Sequence, residues 1–228
     1  MGKRGSRTDS PLKPQVVAWT LSNLLTEDAI VCSDSGTITT WAARYIKIRK
    51  GQMFSVSGTL ASMANGMSYA IGAQIAYPDR QVVAFVGDGG FAMLMCEFST
   101  AVKYNLPIKV IVVKNGALGM IRWEQMGFLG HPEYGVEFQD IDFVKFAEAC
   151  GGTGYRIEKY DEVKPTLAMA LQQKKPTVIE AIVDPYEPPY PATLELKQVE
   201  KFAKSLIKGE PNRKKIALTL YRDKIKEL

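Results

Sequence analysis

The sequence predicts an α/β fold: a mostly parallel six-stranded sheet with helices on both faces. Residues 81–86 and 108–114 are almost continuously apolar, as strands buried on both faces must be. Runs of this kind alternate along the chain with stretches of helical periodicity, the pattern of successive strand–helix–strand units. Glycine-bearing turns follow several of the runs directly. Open parallel sheets bind ligands at such strand ends.

Taken in order, residues 11–26 predict a first helix, with Val16, Val17, Leu21, Leu24 and Leu25 on one face. A short buried strand over 29–32 ends at Ser33, Asp34, Ser35 and Gly36, a turn with helix-capping residues. A helix over 37–48 surrounds Trp41 and Arg44, and a short strand follows at 53–55. Residues 60–77, rich in Ala, Gly and Met, predict a tightly packed buried helix stopped at Pro78. The strand at 81–86 leads to a helix over 91–104, and the strand at 108–114 to an irregular or helical region from Leu118. After a loop at 130–135 come a helix over 141–150, a strand at 154–157, a helix over 161–173 and a strand at 177–183. Pro185, Pro188, Pro189 and Pro191 mark residues 185–191 as an irregular strap. A basic, moderately amphipathic tail over 194–228 is broken around Gly209 and Pro211. The expected organisation is a lead-in over 1–10 without fixed structure, a ligand-binding domain over 11–184, and a strap and helical tail over 185–228.

With 46% hydrophobic and 23% charged residues, the chain has the composition of a globular protein with a substantial core. Much of its net charge of +5 sits near the two ends, and no basic stripe with interleaved aromatics appears, so nucleic-acid binding is not expected. Cys32, Cys96 and Cys150 stand apart without a CxxC pair. That spacing predicts a reducing, cytoplasmic compartment and argues against a zinc ribbon or iron–sulfur carrier. The charged start has no apolar stretch behind it, so no secretory signal is expected.

The chemistry concentrates at two turns. Gly87, Asp88, Gly89 and Gly90 follow the run 81–86, and Asn115 and Gly116 follow 108–114. Two oxygen-bearing side chains at neighbouring strand ends, with bare glycine amides beside the first, suit a Mg²⁺-diphosphate group. The alternative is that both side chains merely cap turns.

Gly87-Asp88-Gly89, with Asn115 standing 27 positions after Asp88, resembles the signature of the thiamine-diphosphate enzymes. The resemblance covers residues 29–183 and corresponds to their diphosphate-binding domain. It implies that the side chains of Asp88 and Asn115 and the main-chain carbonyl of Ala117 hold Mg²⁺. It also implies that Gly87, Gly89 and Gly90 meet the diphosphate. Residues 57–66 resemble the segment carrying the wedge beneath the cofactor: Met63 would hold its two rings in a bent arrangement, and the Ala61 carbonyl would accept from the aminopyrimidine. Plain packing is the alternative for Met63. The loop from Asp34 to Tyr45 is similar to the phosphate-side loop of pyruvate oxidases, which assigns Gly36, Thr37 and Thr39 to the diphosphate. Helix capping competes for the two threonines.

Leu118, Gly119 and Met120 open a stretch that, by the same resemblance, runs over the reactive thiazolium carbon. Pyruvate oxidases and quinone-linked pyruvate dehydrogenases carry a Glu nine residues after the Mg²⁺-binding Asn, and here that residue is Glu124. Acetolactate synthases share Leu-Gly-Met-(Val/Ile)-Arg but place Trp at the ninth position, whereas the Trp here is Trp123. The resemblance therefore favours the pyruvate oxidase and dehydrogenase branch, with Glu124 handling protons. A solvated helical glutamate is the alternative. His131, the sole histidine, reads as a surface-loop residue, and Phe128 and Tyr134 are candidates for the substrate entrance.

The resemblance further implies thiamine diphosphate and Mg²⁺ as cofactors, FAD in the full enzyme or its partner, and pyruvate or another 2-oxo acid as substrate. A pyrimidine-binding domain or subunit would complete the site, so the chain is expected to be inactive alone and to form a homo-oligomer. It would be one subunit of a split enzyme or a piece of a longer one. An acetolactate synthase-like carboligase, a 2-oxo acid decarboxylase subunit and a non-catalytic assembly module remain open. For the basic tail, contact with a partner or the inner membrane face stands against a solvated helix.

Overall fold

The computed structural model describes residues 2–189 and 196–227. Six strands form one sheet: β1 (Ile30–Ser33), β2 (Met53–Val56), β3 (Val82–Gly87), β4 (Lys109–Lys114), β5 (Thr153–Ile157) and β6 (Thr177–Ile182). Their spatial order is β2-β1-β3-β4-β6-β5, and every neighbouring pair is parallel. The predicted α/β class is met.

The helices around the sheet are α1 (Gly2–Gly5), α2 (Pro14–Leu24), α3 (Thr37–Tyr45), α4 (Asn65–Ala76), α5 (Asp88–Leu94) and α6 (Glu97–Lys103). Then come α7 (Gly119–Glu124), a π-helix (Gln125–Leu129), α8 (Phe143–Ala149), α9 (Tyr160–Leu171), α10 (Leu196–Ile207) and α11 (Arg213–Glu227). Successive strand residues point to opposite faces, and both faces are covered. One core joins Val31, Val83, Phe85, Ile111 and Ile179 to Leu21 of α2, Trp41 of α3 and Leu167 of α9. The other joins Cys32, Ala84, Val86, Val110 and Val178 to Met67 of α4, Phe91 of α5, Phe98 of α6 and Phe143 of α8.

The chain divides into two compact units. One holds the sheet, in residues up to 115 and 140–184; the other comprises 116–139 and the residues after 184.

In the sheet unit, three helices depart from expectation for identifiable reasons. The helix expected from residue 60 begins at Asn65, because Ala61 and Ala64 adopt left-handed backbone (φ 52° and 70°). Its start is fixed by a remote acceptor, Asp34, whose Oδ1 takes the Gly66 N–H at 2.6 Å. The helix expected over 91–104 starts earlier, at Asp88, and is split at Met95 and Cys96. There Phe98 N–H and Ser99 N–H bond three residues back, to Met95 and Cys96, and the Ser99 hydroxyl also donates to the Cys96 carbonyl at 2.7 Å. A side chain competing for a helical carbonyl favours this tightened turn. Residues ahead of Pro11, expected to lack fixed structure, pack down instead. Gly5 lies so near Trp19 that a Cβ would fall 2.5 Å from the indole, and Arg7 pairs with Asp9, both buried.

The carboxyl end of β4 is anchored by charge. Glu180, fully buried on β6, accepts from Lys114 at 2.7 Å and from Arg156 at 2.8–2.9 Å. Lys114 also reaches Asp140 at 2.5 Å.

In the other unit, Ala117 and Glu137 form an isolated antiparallel bridge. A small core gathers Trp123, Met126 and Ile216, with Tyr186, Phe202 and Leu206 against it; the Trp123 and Phe202 rings stack at 5.9 Å. Buried Arg122 pairs with Glu133, donates to the Pro185 carbonyl at 3.0 Å and lies over the Tyr186 ring. Glu133 in turn accepts from Asn212 at 2.6 Å, and Glu210 accepts from the Glu133 N–H at 2.8 Å. The tail is therefore not uniformly solvated: Ile216 and Ser205 are fully buried and Glu210 nearly so. Residues 190–195 of the expected strap and tail lie outside the described residues. Among the described residues no helix is long and apolar enough to cross a membrane.

Replacing Glu180 by Ala removes a buried acceptor from Lys114 and Arg156, which keep Asp140 and Asp142 as partners. The loss expected is about 1–3 kcal/mol, read as a lowered urea midpoint at unchanged slope.

Candidate functional site

The sheet order reverses at β1 and β3: β1 is followed in sequence by β2 on one side, and β3 by β4 on the other. Ser33 lies opposite Phe85 in the first pair and Gly87 opposite Val113 in the second. The turns after β1, β3 and β4 therefore stand side by side at the carboxyl edge, the position where doubly wound sheets hold ligands. Asp88, 6% exposed, opens α5, and its Oδ1 accepts the Gly89 N–H at 3.1 Å. Asn115, half-buried, directly follows β4. Register thus brings the two predicted metal-ligating residues to adjacent strand ends.

This donor set fits a shared cation rather than an all-protein cage. Among the described residues no three of His, Cys, Asp and Glu converge on a metal position. Mg²⁺ is commonly held by one or two protein oxygens together with ligand phosphates. Space beside the turns is open: a Cβ at Gly87 would meet nothing within 4 Å.

The flanking loops are placed as follows. Gly36 (φ 117°, ψ −156°) occupies backbone space nearly restricted to glycine and starts α3. Thr37 is the first residue of α3. Thr39 donates its hydroxyl to the Asp34 carbonyl at 2.5 Å, so it secures its own loop. Ala61 is exposed and Met63 half-buried, both in the irregular segment before α4, and Met63 is not a helix-core residue.

Sequence reasoning gave no functional role to a deeply buried acid in the turn after β1. Asp34 is 1% exposed. Its carboxylate accepts the N–H groups of Gly66, at 2.6 Å, and of Ala64, while Oδ2 has no hydrogen-bond partner. That oxygen is seated against Gly90, where a Cβ would lie 1.9 Å from it. Burial pushes the Asp34 carboxyl up to about 6, against the opposing pull of the two backbone bonds. Next to it, Asn65 donates to the Ser33 carbonyl at 3.0 Å and leaves its own buried oxygen unpartnered. The available signal was an acid between a strand end and the glycine that starts a helix.

In the second unit, the Ala117 carbonyl accepts from the Gly119 N–H at 2.8 Å and Leu118 N–H donates to Val136. Gly119 is buried, and Leu118 and Met120 are half-buried. Glu124 is exposed at the end of α7, with Arg122 and Trp123 buried just before it. His131 is exposed.

Residues 34–181 match the family described as thiamine pyrophosphate enzyme, C-terminal TPP binding domain. The chain belongs to this family. It is 37% identical to the Bacillus subtilis protein YdaP over 99% of its own length and 39% of that protein. It is 36% identical to the acetolactate synthase isozyme 3 large subunit of Escherichia coli, over 79% of the chain and 32% of that protein. To the pyruvate oxidase of Lactiplantibacillus plantarum it is 33% identical, over 78% of the chain and 30% of that protein. It thus spans 30–39% of the length of these relatives. The matched span in this TPP-binding domain contains all three strand-end turns, from Asp34 through Asn115.

Because the folded-state pKa of Asp34 lies above its ordinary value, the folded protein binds this proton more tightly than the unfolded one. The resulting stabilisation is complete below about pH 4 and is lost as pH rises through about 6. Its total is about 3 kcal/mol. Asp34→Asn removes the titration, so the stability of the variant relative to the parent is expected to rise between pH 4 and 7. Urea melts across that range measure it.

Proposed function

We propose that this chain supplies the diphosphate- and Mg²⁺-binding part of a thiamine-diphosphate enzyme that decarboxylates pyruvate oxidatively. A pyrimidine-binding domain or subunit would complete it. The observation that carries this is the placement of Asp88 and Asn115 after adjacent parallel strands in a chain of the TPP-binding family. In this proposal the Asp88 carboxylate, the Asn115 carboxamide and the Ala117 carbonyl ligate Mg²⁺. The amides of Gly89 and Gly90, with Gly36, Thr37 and Gly87 beside them, receive the diphosphate. Met63 and the Ala61 carbonyl support the rings, while Leu118, Gly119 and Met120 cover them.

Thiamine diphosphate, when bound, supplies a carbon nucleophile for the 2-oxo group and a sink for the electrons left by decarboxylation. Glu124 moves a proton to or from the oxygen of that former 2-oxo group. Its place nine residues after Asn115 supports the pyruvate oxidase and dehydrogenase branch, with electrons passing to a flavin held by the full enzyme or its partner. Acetolactate synthase-like carboligation is the second reading, favoured by the synthase relative at 36% identity and by the shared Leu118-Gly119-Met120-Ile121-Arg122. A homo-oligomer, a cytoplasmic setting and a peripheral membrane contact through the tail belong to the same proposal.

Thiamine diphosphate is expected to bind only with Mg²⁺ present, and Asp88→Ala to weaken binding at least 100-fold by calorimetric titration. Metal-independent binding would falsify the assigned cation site. With a pyrimidine-binding partner supplied, pyruvate should bleach flavin, and Glu124→Gln should slow that step about 100-fold, the scale of general acid–base assistance. Acetolactate accumulating instead of reduced flavin would select the synthase reading.

A further inference from the structure

Asp34 is a buried carboxylate at the carboxyl edge to which the proposed chemistry gives no task, and one of its oxygens lacks a hydrogen bond. It lies where three segments meet. Its Oδ1 takes the Gly66 N–H at 2.6 Å, the same carboxylate takes the Ala64 N–H, and Thr39 closes the loop on its carbonyl at 2.5 Å. Its Oδ2, without a hydrogen bond, abuts Gly90 so closely that any Cβ there would overlap it. A Cβ at Gly66 would likewise fall 2.9 Å from Oδ1 and 2.6 Å from Val86. Asp34 thus requires the glycine at 90 and, together with Val86, the glycine at 66.

Ala61 and Ala64 on the far side of the clamp sit in left-handed backbone, a conformation that costs an alanine about 1–2 kcal/mol. Such strain persists only where surrounding bonds over-determine it. The bonds from Ala64 and Gly66 to Asp34 do so at Ala64.

We propose that Asp34 is a positioning residue that fixes the spacing between the Ala61–Met63 loop and the Gly87–Gly90 turn. It thereby holds the two ends of one ligand in register: a heteroaromatic ring system at the loop and a diphosphate at the turn. This rests on the thiamine-diphosphate reading above. A ligand bound at both ends gains from the effective concentration of its second end, and that gain depends steeply on the distance between the subsites. Disturbing the clamp should therefore harm the whole ligand far more than either half.

The test uses the assembled enzyme with its pyrimidine-binding partner and three probes, each with Mg²⁺: thiamine diphosphate, inorganic pyrophosphate and thiamine. The decisive quantity is the ratio of thiamine diphosphate affinity to pyrophosphate affinity. A loss of folded protein scales both and leaves the ratio unchanged. In Asp34→Ala the ratio is expected to fall at least 30-fold, with pyrophosphate binding within threefold of the parent. Asp34→Asn keeps an acceptor for the Ala64 and Gly66 amides and should recover most of the ratio. Gly66→Ala, whose Cβ would crowd Asp34 Oδ1 and Val86 outside the proposed diphosphate contacts, should reproduce the loss and serves as the readout if Asp34→Ala fails to fold. A ratio within threefold of the parent in both Asp34→Ala and Gly66→Ala, or in Gly66→Ala alone when the other variant does not fold, overturns the proposal while leaving the cofactor assignment intact. A parent protein that binds no thiamine diphosphate sinks that assignment and this inference together.

Discussion

Burial of a parallel sheet on both faces is the constraint from which the rest follows. Each strand must be followed by a crossover that returns to the opposite edge, so all six strands end at the same side. Between the edges, β3 and β4 have no room for polar groups except at their ends, and Lys109 shows how strict this is. Its ammonium, at the entry to β4, is satisfied by three carbonyls, of Pro107, Gln173 and Lys175, and burial still pushes its pKa down to about 8. Polar chemistry is consequently driven to the exit edge. There α3 leaves β1 toward one core and α5 leaves β3 toward the other, the arrangement in which doubly wound sheets hold ligands.

Much of this was legible from residue types alone. Continuous apolar runs gave β3 and β4 away, and Asp88 and Asn115 stand out because each immediately follows such a run. The start of α4 was not legible. Leu60, Ala61, Met63 and Ala64 favour helix as strongly as the residues after them. What stops the helix is an acceptor 32 positions earlier in the chain, Asp34, and no local pattern encodes that. At the division between α5 and α6, the Ser99 hydroxyl and the Phe98 and Ser99 N–H groups all donate to carbonyls three residues back. In the tail, the apolar side chains of Phe202 and Leu206 were visible, but their partners Trp123 and Met126 lie some 80 positions upstream.

Family membership and reaction are separate questions for this chain. A pyruvate oxidase and an acetolactate synthase match it at 33% and 36% identity over nearly the same share of its length. The span matched by the family takes in the strand-end turns. After Asn115, Trp123 faces a packed core and Glu124 faces outward.

The wide turn over Gln125–Leu129 has a consequence for anyone numbering across it. A single additional residue in a helical coil rotates every later side chain by about 100° relative to an ordinary helix. Phe128 and Leu129, exposed here, would therefore address a different direction in a homologous protein that lacks the bulge. Counting from Asn115 is a sound ruler only as far as Glu124; past that point, equivalence between sequences has to be judged by azimuth rather than by position.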